Sequence, residues 1–377
     1  MTETAARNPA GPPRRFALLD FSRFIAALAV VGYHFTVYPY DWGWGRPPVE
    51  VFGALTKITG YGYLGVYLFF IISGFVITMS VRGRSVGAFV ASRVARLLPA
   101  YWVVVVLSAA VFVPLLTGRL GFAEIRVAVV NMTMLQVPFG VPHVDGVYWT
   151  LWVELCFYII VGVLMLTGVT YGKLLAMTLL WPLAAVLLAE GDGILVELFQ
   201  PAFAPLFAGG IGIYLIHAYG HSLTHWFAVG VNAILSANLA SQSVAPVRAS
   251  VDADLSSAVA FALVIGCFAL VACAVLTPLH GLTGRVGVAL GRLTYPLYLV
   301  HVFPGLLVIS WTHEALGAWP SLILAVGVAT GLALLINRFV EQRVSRPLRT
   351  RLESELGRDR RGERRGAEQS AVGSAQE

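Results

Sequence analysis

Charge is what this sequence has least of. Only 12% of its 377 residues are Asp, Glu, Lys or Arg, against 58% hydrophobic residues, and mean hydropathy is +0.77. A soluble globular chain carries about 25% charged residues. The deficit excludes a cytosolic enzyme, a disordered chain and a nucleic-acid-binding domain, so no nucleic-acid partner is expected. Cysteine is also scarce. Cys156, Cys267 and Cys273 are an odd number lying in apolar runs, with neither C-x-x-C spacing nor a Cys/His pattern. Neither a disulfide framework nor a metal cluster is implied. An internal repeat is missing too.

Long apolar windows are what the chain has instead. A spanning helix needs about 20 mostly apolar residues. Such windows recur at about 16–36, 61–81, 97–117, 148–168, 174–190, 194–216, 226–241, 256–277, 293–311 and 319–340. The stretch 122–137 is apolar but carries Glu124 and Arg126, which suits an interfacial or re-entrant helix. The expected fold class is all-α, a polytopic membrane helix bundle of about ten transmembrane helices. Residues 1–15 are expected as a cytoplasmic N-terminal segment, 16–349 as the membrane domain, and 350–377 as a charged, disordered cytoplasmic tail.

Basic residues set the expected orientation. With the N-terminus inside, Arg46, Lys57, Arg119, Arg126 and Arg248 fall on the outer side, Arg23 lies within the first span, and the other twenty of the 26 fall on the cytoplasmic side. That asymmetry puts both termini in the cytoplasm, with the arginines between 338 and 365 near anionic headgroups. Arg14 and Arg15 before an apolar run imitate a secretory signal. Asp20 and Arg23 interrupt the run and no small-residue cleavage site follows, so a retained anchor is expected. The protein is thus expected as a multi-pass component of a bacterial cell membrane, the Ala-, Gly- and Arg-rich composition suiting a high-GC genome.

A charged side chain at the centre of a span costs at least about 2.5 kcal/mol, so each one asks for a reason. Arg23 and His34 lie in the first span and Glu154 in the fourth. Eleven residues separate the first two, roughly 16 Å and three turns of helix, so both project from one face. A guanidinium forks onto phosphate oxygens, and a neutral imidazole takes a proton from a hydroxyl, more strongly when a carboxylate orients it. Glu154 is the natural candidate for that carboxylate. The bland readings are a snorkelling Arg23, a hydrogen-bonded His34 and a structural ion pair of Glu154 with Arg93 or Arg96.

Five segments in order resemble one family. They are Arg23 and His34 with ten residues between them, Phe69-Phe70-Ile71-Ile72-Ser73-Gly74-Phe75, Arg93-x-x-Arg96, Trp149-Thr150-Leu151-Trp152-Val153-Glu154, and Thr294-Tyr295-Pro296-Leu297-Tyr298-Leu299-Val300-His301 with the Glu341 to Arg349 stretch. Together they resemble the acyltransferase-3 family, membrane enzymes that move acyl groups, usually acetyl, from cytosolic acyl-CoA onto hydroxyls. The resemblance implies His34 as the catalytic histidine with Glu154 near it, and Arg23, Arg93 and Arg96 as donor-binding residues. It implies acyl-CoA, acetyl-CoA above all, as co-substrate with no metal. The acceptor is expected as a hydroxyl-bearing cell-envelope glycan or glycolipid, or as a secondary metabolite such as a macrolide. Transfer is either direct or through an acyl-histidine.

Other residues carry weaker signals. Ser73 beside Gly74 suits close packing of helices or ligand. Tyr148, Trp149, Trp152 and Tyr158 suit an acceptor pocket or a membrane belt, and His301 suits proton transfer, acceptor binding or a buried hydrogen bond. His217, His221 and His225 share a helical stripe without a carboxylate, His313-Glu314 lacks the second histidine of H-E-x-x-H, and Gly209-Gly210-x-Gly212 follows no strand. The rival class, a secondary transporter, calls for an internal repeat and paired broken helices.

Overall fold

The structure, a computed structural model, describes residues 16–40, 43–118, 121–345 and 347–356. It is all-α: these residues form helices and no strand. Thirteen α-helices have seven residues or more: α1 (Ala17–Thr36), α2 (Gly65–Val81), α3 (Val86–Leu107), α4 (Phe122–Asn131), α5 (Trp149–Leu166), α6 (Tyr171–Leu188), α7 (Ala204–Tyr219), α8 (Leu223–Val251), α9 (Ser257–Leu276), α10 (Gly284–Gly291), α11 (Thr294–Val300), α12 (Val302–Leu316) and α13 (Ala318–Ile336). Side chains start several of them. Ser85, Thr170 and Ser222 accept from the backbone N–H three residues on, while Gly220 and Gly317 end α7 and α12 with φ of 92° and 79°.

Among the described residues, eight helical stretches are long and apolar enough to cross a membrane, including Ala17–Thr36, Gly62–Val81, Val86–Leu115 and Gly146–Leu166. A ninth candidate is broken, Gly284–Val300 meeting Val302–Leu316 at 69°. The ten sequence windows fall on these nine and on α8, a 29-residue helix packed against α7 and α9 but less apolar than the rest. The window 122–137 holds only the ten residues of α4, too short to span, which expose Phe122, Ile125 and Val129 on one side. Of the expected tail, residues 350–356 are helical. Residues 1–15 and 357–377 lie outside the described residues.

α1 is seated by glycines on two sides. A Cβ on Gly62 would stand 2.1 Å from the Ala29 carbonyl oxygen, and one on Gly65 2.6 Å from that of Ala26. Across α1, Gly287 and Gly291 of α10 would meet the carbonyls of Ala17 and Asp20 at 2.6 and 2.9 Å. Apolar burial drives little helix association in lipid, so contact at backbone range fixes α1, and with it Arg23 and His34.

The break between α11 and α12 has a local cause. Pro304 has no N–H to give the Val300 carbonyl, and its ring presses on that carbonyl. The chain turns at His301, wholly buried at the elbow. Pro99 acts similarly inside α3, leaving the Ala95 carbonyl without its helical donor.

Candidate active site

Three cavities lie end to end along α1. At its N-terminal end a mouth of about 490 Å³ is lined by five arginines, Arg23, Arg93, Arg96, Arg292 and Arg349, together with Asp20 and Glu341. Arg93 and Arg96 lie three residues apart on α3 and share a face. Arg93 is already posed: Nη2 and Nε donate to the Ser92 hydroxyl at 2.9 and 3.2 Å, and its guanidinium sits over the rings of Phe89 and Tyr158 at 5.9 and 5.8 Å. The far wall is a π-helical segment, Asn337–Ser345. There Asn337 Nδ2 donates to the Arg292 carbonyl at 3.2 Å and to Glu341 Oε2 at 2.6 Å.

A neck of about 50 Å³ follows, sharing Arg23 and Tyr295 with the mouth. Ser73, Glu154 and Thr294 line it. Glu154 Oε1 accepts from Ser73 Oγ at 3.1 Å and from the Tyr158 hydroxyl at 2.6 Å. Among the described residues it forms no ion pair. The Thr294 hydroxyl is buried without a hydrogen-bond partner among them.

Beyond the neck a chamber of about 380 Å³ shares Val66 and Tyr298 with it and contains His34. His34 Nδ1 lies 2.9 Å from the Val30 carbonyl oxygen and 3.1 Å from His301 Nε2. His301 Nδ1 lies 2.9 Å from the Tyr298 carbonyl oxygen. A carbonyl only accepts, so the hydrogen-bond pattern assigns each Nδ1 a proton. His301 Nε2 then accepts from His34 Nδ1–H, and His34 keeps a lone pair on Nε2. A neutral imidazole is thus fixed in the tautomer that a general base requires.

Aromatic rings surround that base. Tyr38 and Tyr40 stand 5.9 and 6.3 Å from His34 by ring centroid and 4.7 Å from each other. Tyr33, Tyr63 and Tyr67 follow at spacings of 5.8 and 6.4 Å, and Trp149 and Phe203 pair at 5.1 Å. Beneath the loop leading into α5, Asp145 is 3% exposed, and its Oδ1 accepts from Val147 N at 3.1 Å. Burial pushes this carboxyl up to about 7 against the pull of that bond. Tyr40 is raised too, by burial first and by Asp145 next.

The residues singled out from sequence therefore separate into places. Arg23, Arg93 and Arg96 meet at the mouth, Ser73 and Glu154 at the neck, and His34 and Trp149 at the chamber. Glu154 bonds to Ser73 and Tyr158, while the ring bonded to His34 belongs to His301. Tyr148 is buried against Tyr101 at 5.2 Å, and Trp152 Nε1 donates to Glu197 at 3.0 Å, so these two pack behind the cavities. Gly74 lets α2 and α7 touch, its Cβ position lying 2.2 Å from the Phe207 carbonyl oxygen. The histidine stripe is taken up in bonds: His225 reaches Gly220 O and Tyr171, and His221 accepts from Trp226. Arg292, Asp145 and the chamber tyrosines Tyr33, Tyr38, Tyr40, Tyr63 and Tyr67 were not singled out from sequence. The signal for the tyrosines was their crowding at 33, 38 and 40 and again at 61, 63 and 67.

A helical membrane bundle threaded by a passage from clustered arginines to a neutral imidazole defines a class, the integral membrane proteins that work on a ligand within the bundle. The family model described as an acyltransferase domain, acyltransferase-3, matches residues 16–338, and the chain belongs to that family. Its acyltransferase domain is built on helices long and apolar enough to cross a membrane several times. Among curated proteins it is similar to "Protein 2 in picA locus" of Rhizobium radiobacter, 36% identical over 108 residues, 27% of this chain. The match spans about half of that relative, 48% of its length. No solved structure matches the chain.

Proposed function

We propose that the protein is an O-acyltransferase of the bacterial cell membrane, moving an acyl group, acetyl above all, from acyl-CoA to an acceptor hydroxyl. The observation that carries this is the passage itself, with arginines at one end and the free Nε2 of His34 at the other. The two ends of the donor differ in the same way. Its phosphates suit the arginine mouth, where bidentate guanidinium contacts hold them, and the slender pantetheine arm suits the neck. The roughly 16 Å between Arg23 and His34 along α1 is of the order of that arm, so the thioester arrives at His34. The mouth faces the cytoplasm in this reading, where acyl-CoA is found.

In the chamber, His34 Nε2 takes the proton of the acceptor hydroxyl as its oxygen attacks the thioester carbonyl carbon. The C–S bond breaks, and the proton passes from Nε2 to the leaving thiolate. Charge gathers on the imidazole during attack, and the Nδ1–H bonds to His301 and to the Val30 carbonyl stabilise it. The acceptor is a hydroxyl of a cell-envelope glycan or glycolipid; a secondary metabolite such as a macrolide calls for the same chemistry. The test is loss of acetyl-CoA thioester by the full chain in membranes. His34→Ala, inserted at normal level, abolishes transfer if the reading is right, and transfer at the wild-type rate refutes it.

One observation favours a transporter, the 69° break at His301, since broken helices line transport sites. Transporters use two such breaks in related halves, and the described residues show one. Solute flux without thioester loss would support the transporter.

A further inference from the structure

The chamber around His34 carries chemistry that identifies its ligand more narrowly, on the reading of acyl transfer above. Among the described residues lining it, none is Lys, Arg, Asp or Glu. Six are tyrosines, and Trp149 and Phe203 complete the wall. Its 380 Å³ is at the small end of the roughly 300–1,000 Å³ range of ligand sites, room for a sugar ring or two and too little for a whole macrocycle. Tyr33 adds a second, independent sign of a ligand. It is only 6% exposed, lines the chamber, and its phenol forms no hydrogen bond with a described residue. A phenol that opens on the chamber with no protein partner is free to bond a ligand hydroxyl there.

We infer that the acceptor presents an uncharged pyranose to His34, stacked on the tyrosine and tryptophan rings, and that acceptors carrying a uronate or phosphate on that ring are rejected. The C–H face of a pyranose is weakly positive and packs on the negative face of an aromatic ring. One of its hydroxyls bonds the Tyr33 phenol. A uronate or phosphate would enter with no cation to meet it, and a buried unpaired charge is among the costliest groups to place. Asp145, beside lining residues Gly146 and Val147, is an acid and supplies no positive charge to meet an anion. The arginines of the mouth are separated from the chamber by the neck.

A matched pair of acceptors tests this. The full chain in lipid nanodiscs is given acetyl-CoA with octyl glucoside or octyl glucuronide, which differ by one carboxylate. Thiol release is followed, and the acetylated product is weighed by mass spectrometry. The neutral glycoside should be acetylated with kcat/KM at least about 100-fold above the glucuronide, the scale expected for an unpaired buried charge. Tyr33→Phe should raise KM for octyl glucoside about 5-fold, one lost hydrogen bond, and leave KM for acetyl-CoA unchanged. Equal or better use of the glucuronide overturns the inference. So does an octyl glucoside that neither accepts nor competes while the protein still consumes acetyl-CoA in its own membranes, an outcome that leaves acyl transfer standing. Thioester that is never consumed, with any acceptor or membrane, removes the reading of acyl transfer and the inference with it.

Discussion

Replacing His301 with alanine isolates what the second imidazole contributes. His34 Nδ1–H is shared between the Val30 carbonyl at 2.9 Å and His301 Nε2 at 3.1 Å, so the variant removes one of two acceptors and leaves the tautomer in place. In the resting protein that bond joins neutral groups. During attack the ring carries charge, and a hydrogen bond to a charged group contributes about 1.5–3 kcal/mol against about 1 kcal/mol for a neutral one. Only the difference, about 0.5–2 kcal/mol, reaches kcat, so at about 1.4 kcal/mol per tenfold kcat should fall about 2- to 30-fold. KM for acetyl-CoA should hold, because His301 does not line the mouth. His34→Ala, which removes the base, should cost more, about 10²- to 10⁴-fold. The assay is thiol release from acetyl-CoA at saturating acceptor, with His301→Gln as the conservative variant whose amide oxygen restores part of the rate. A His301→Ala enzyme within twofold of wild type refutes the relay. One whose loss appears only in KM assigns His301 to binding instead.

Three further outcomes are expected. Arg93→Ala/Arg96→Ala should raise KM for acetyl-CoA at least about 10-fold, from lost charge-assisted bonds to phosphate, and leave KM for the acceptor unchanged; initial-rate kinetics over both substrates decide. Gly74→Ala places a methyl 2.2 Å from the Phe207 carbonyl, whereas Gly230→Ala meets nothing within 4 Å. The first should lose about 1–3 kcal/mol or more and give less monodisperse protein on size-exclusion chromatography, and the second should not. Asp145, at 3.8 ordinarily and about 7 in the fold, keeps its proton in the folded protein over a range where the unfolded chain has released it. Its contribution is therefore fully present below 3.8 and lost as pH rises through about 7. Melting midpoints should fall over that range, and Asp145→Asn should flatten the fall.

The bundle was legible in the sequence because apolar windows report directly on what lipid accepts, and Arg23, His34 and Glu154 stood out because charge in a span is expensive. What those residues do to one another was less legible. Glu154 looked like the partner of His34 because both are ionisable and buried, yet partnership depends on the rotation of α1 against α5 and on the elbow at Pro304 that delivers His301. Neither is written in hydropathy. The tyrosine chamber was hidden for a related reason. Tyr33, Tyr63 and Trp149 belong to three segments, and each alone reads as a packing or interfacial ring. Asp145 sat one residue outside a span, where an acid attracts no notice until burial is seen.

The neck has a consequence for the membrane itself. A passage open along α1 from the arginine mouth to the tyrosine chamber would be a leak for ions. At about 50 Å³, with Ser73 bonded to Glu154 between two of its walls, the constriction has room for a few waters and none for a hydrated ion. A flexible arm one atom wide can thread where a solvated solute cannot. On the proposed reading, the same narrowing that lets two reactants meet keeps the bilayer sealed, so that a chemical group can be handed on while the gradients across the membrane are preserved.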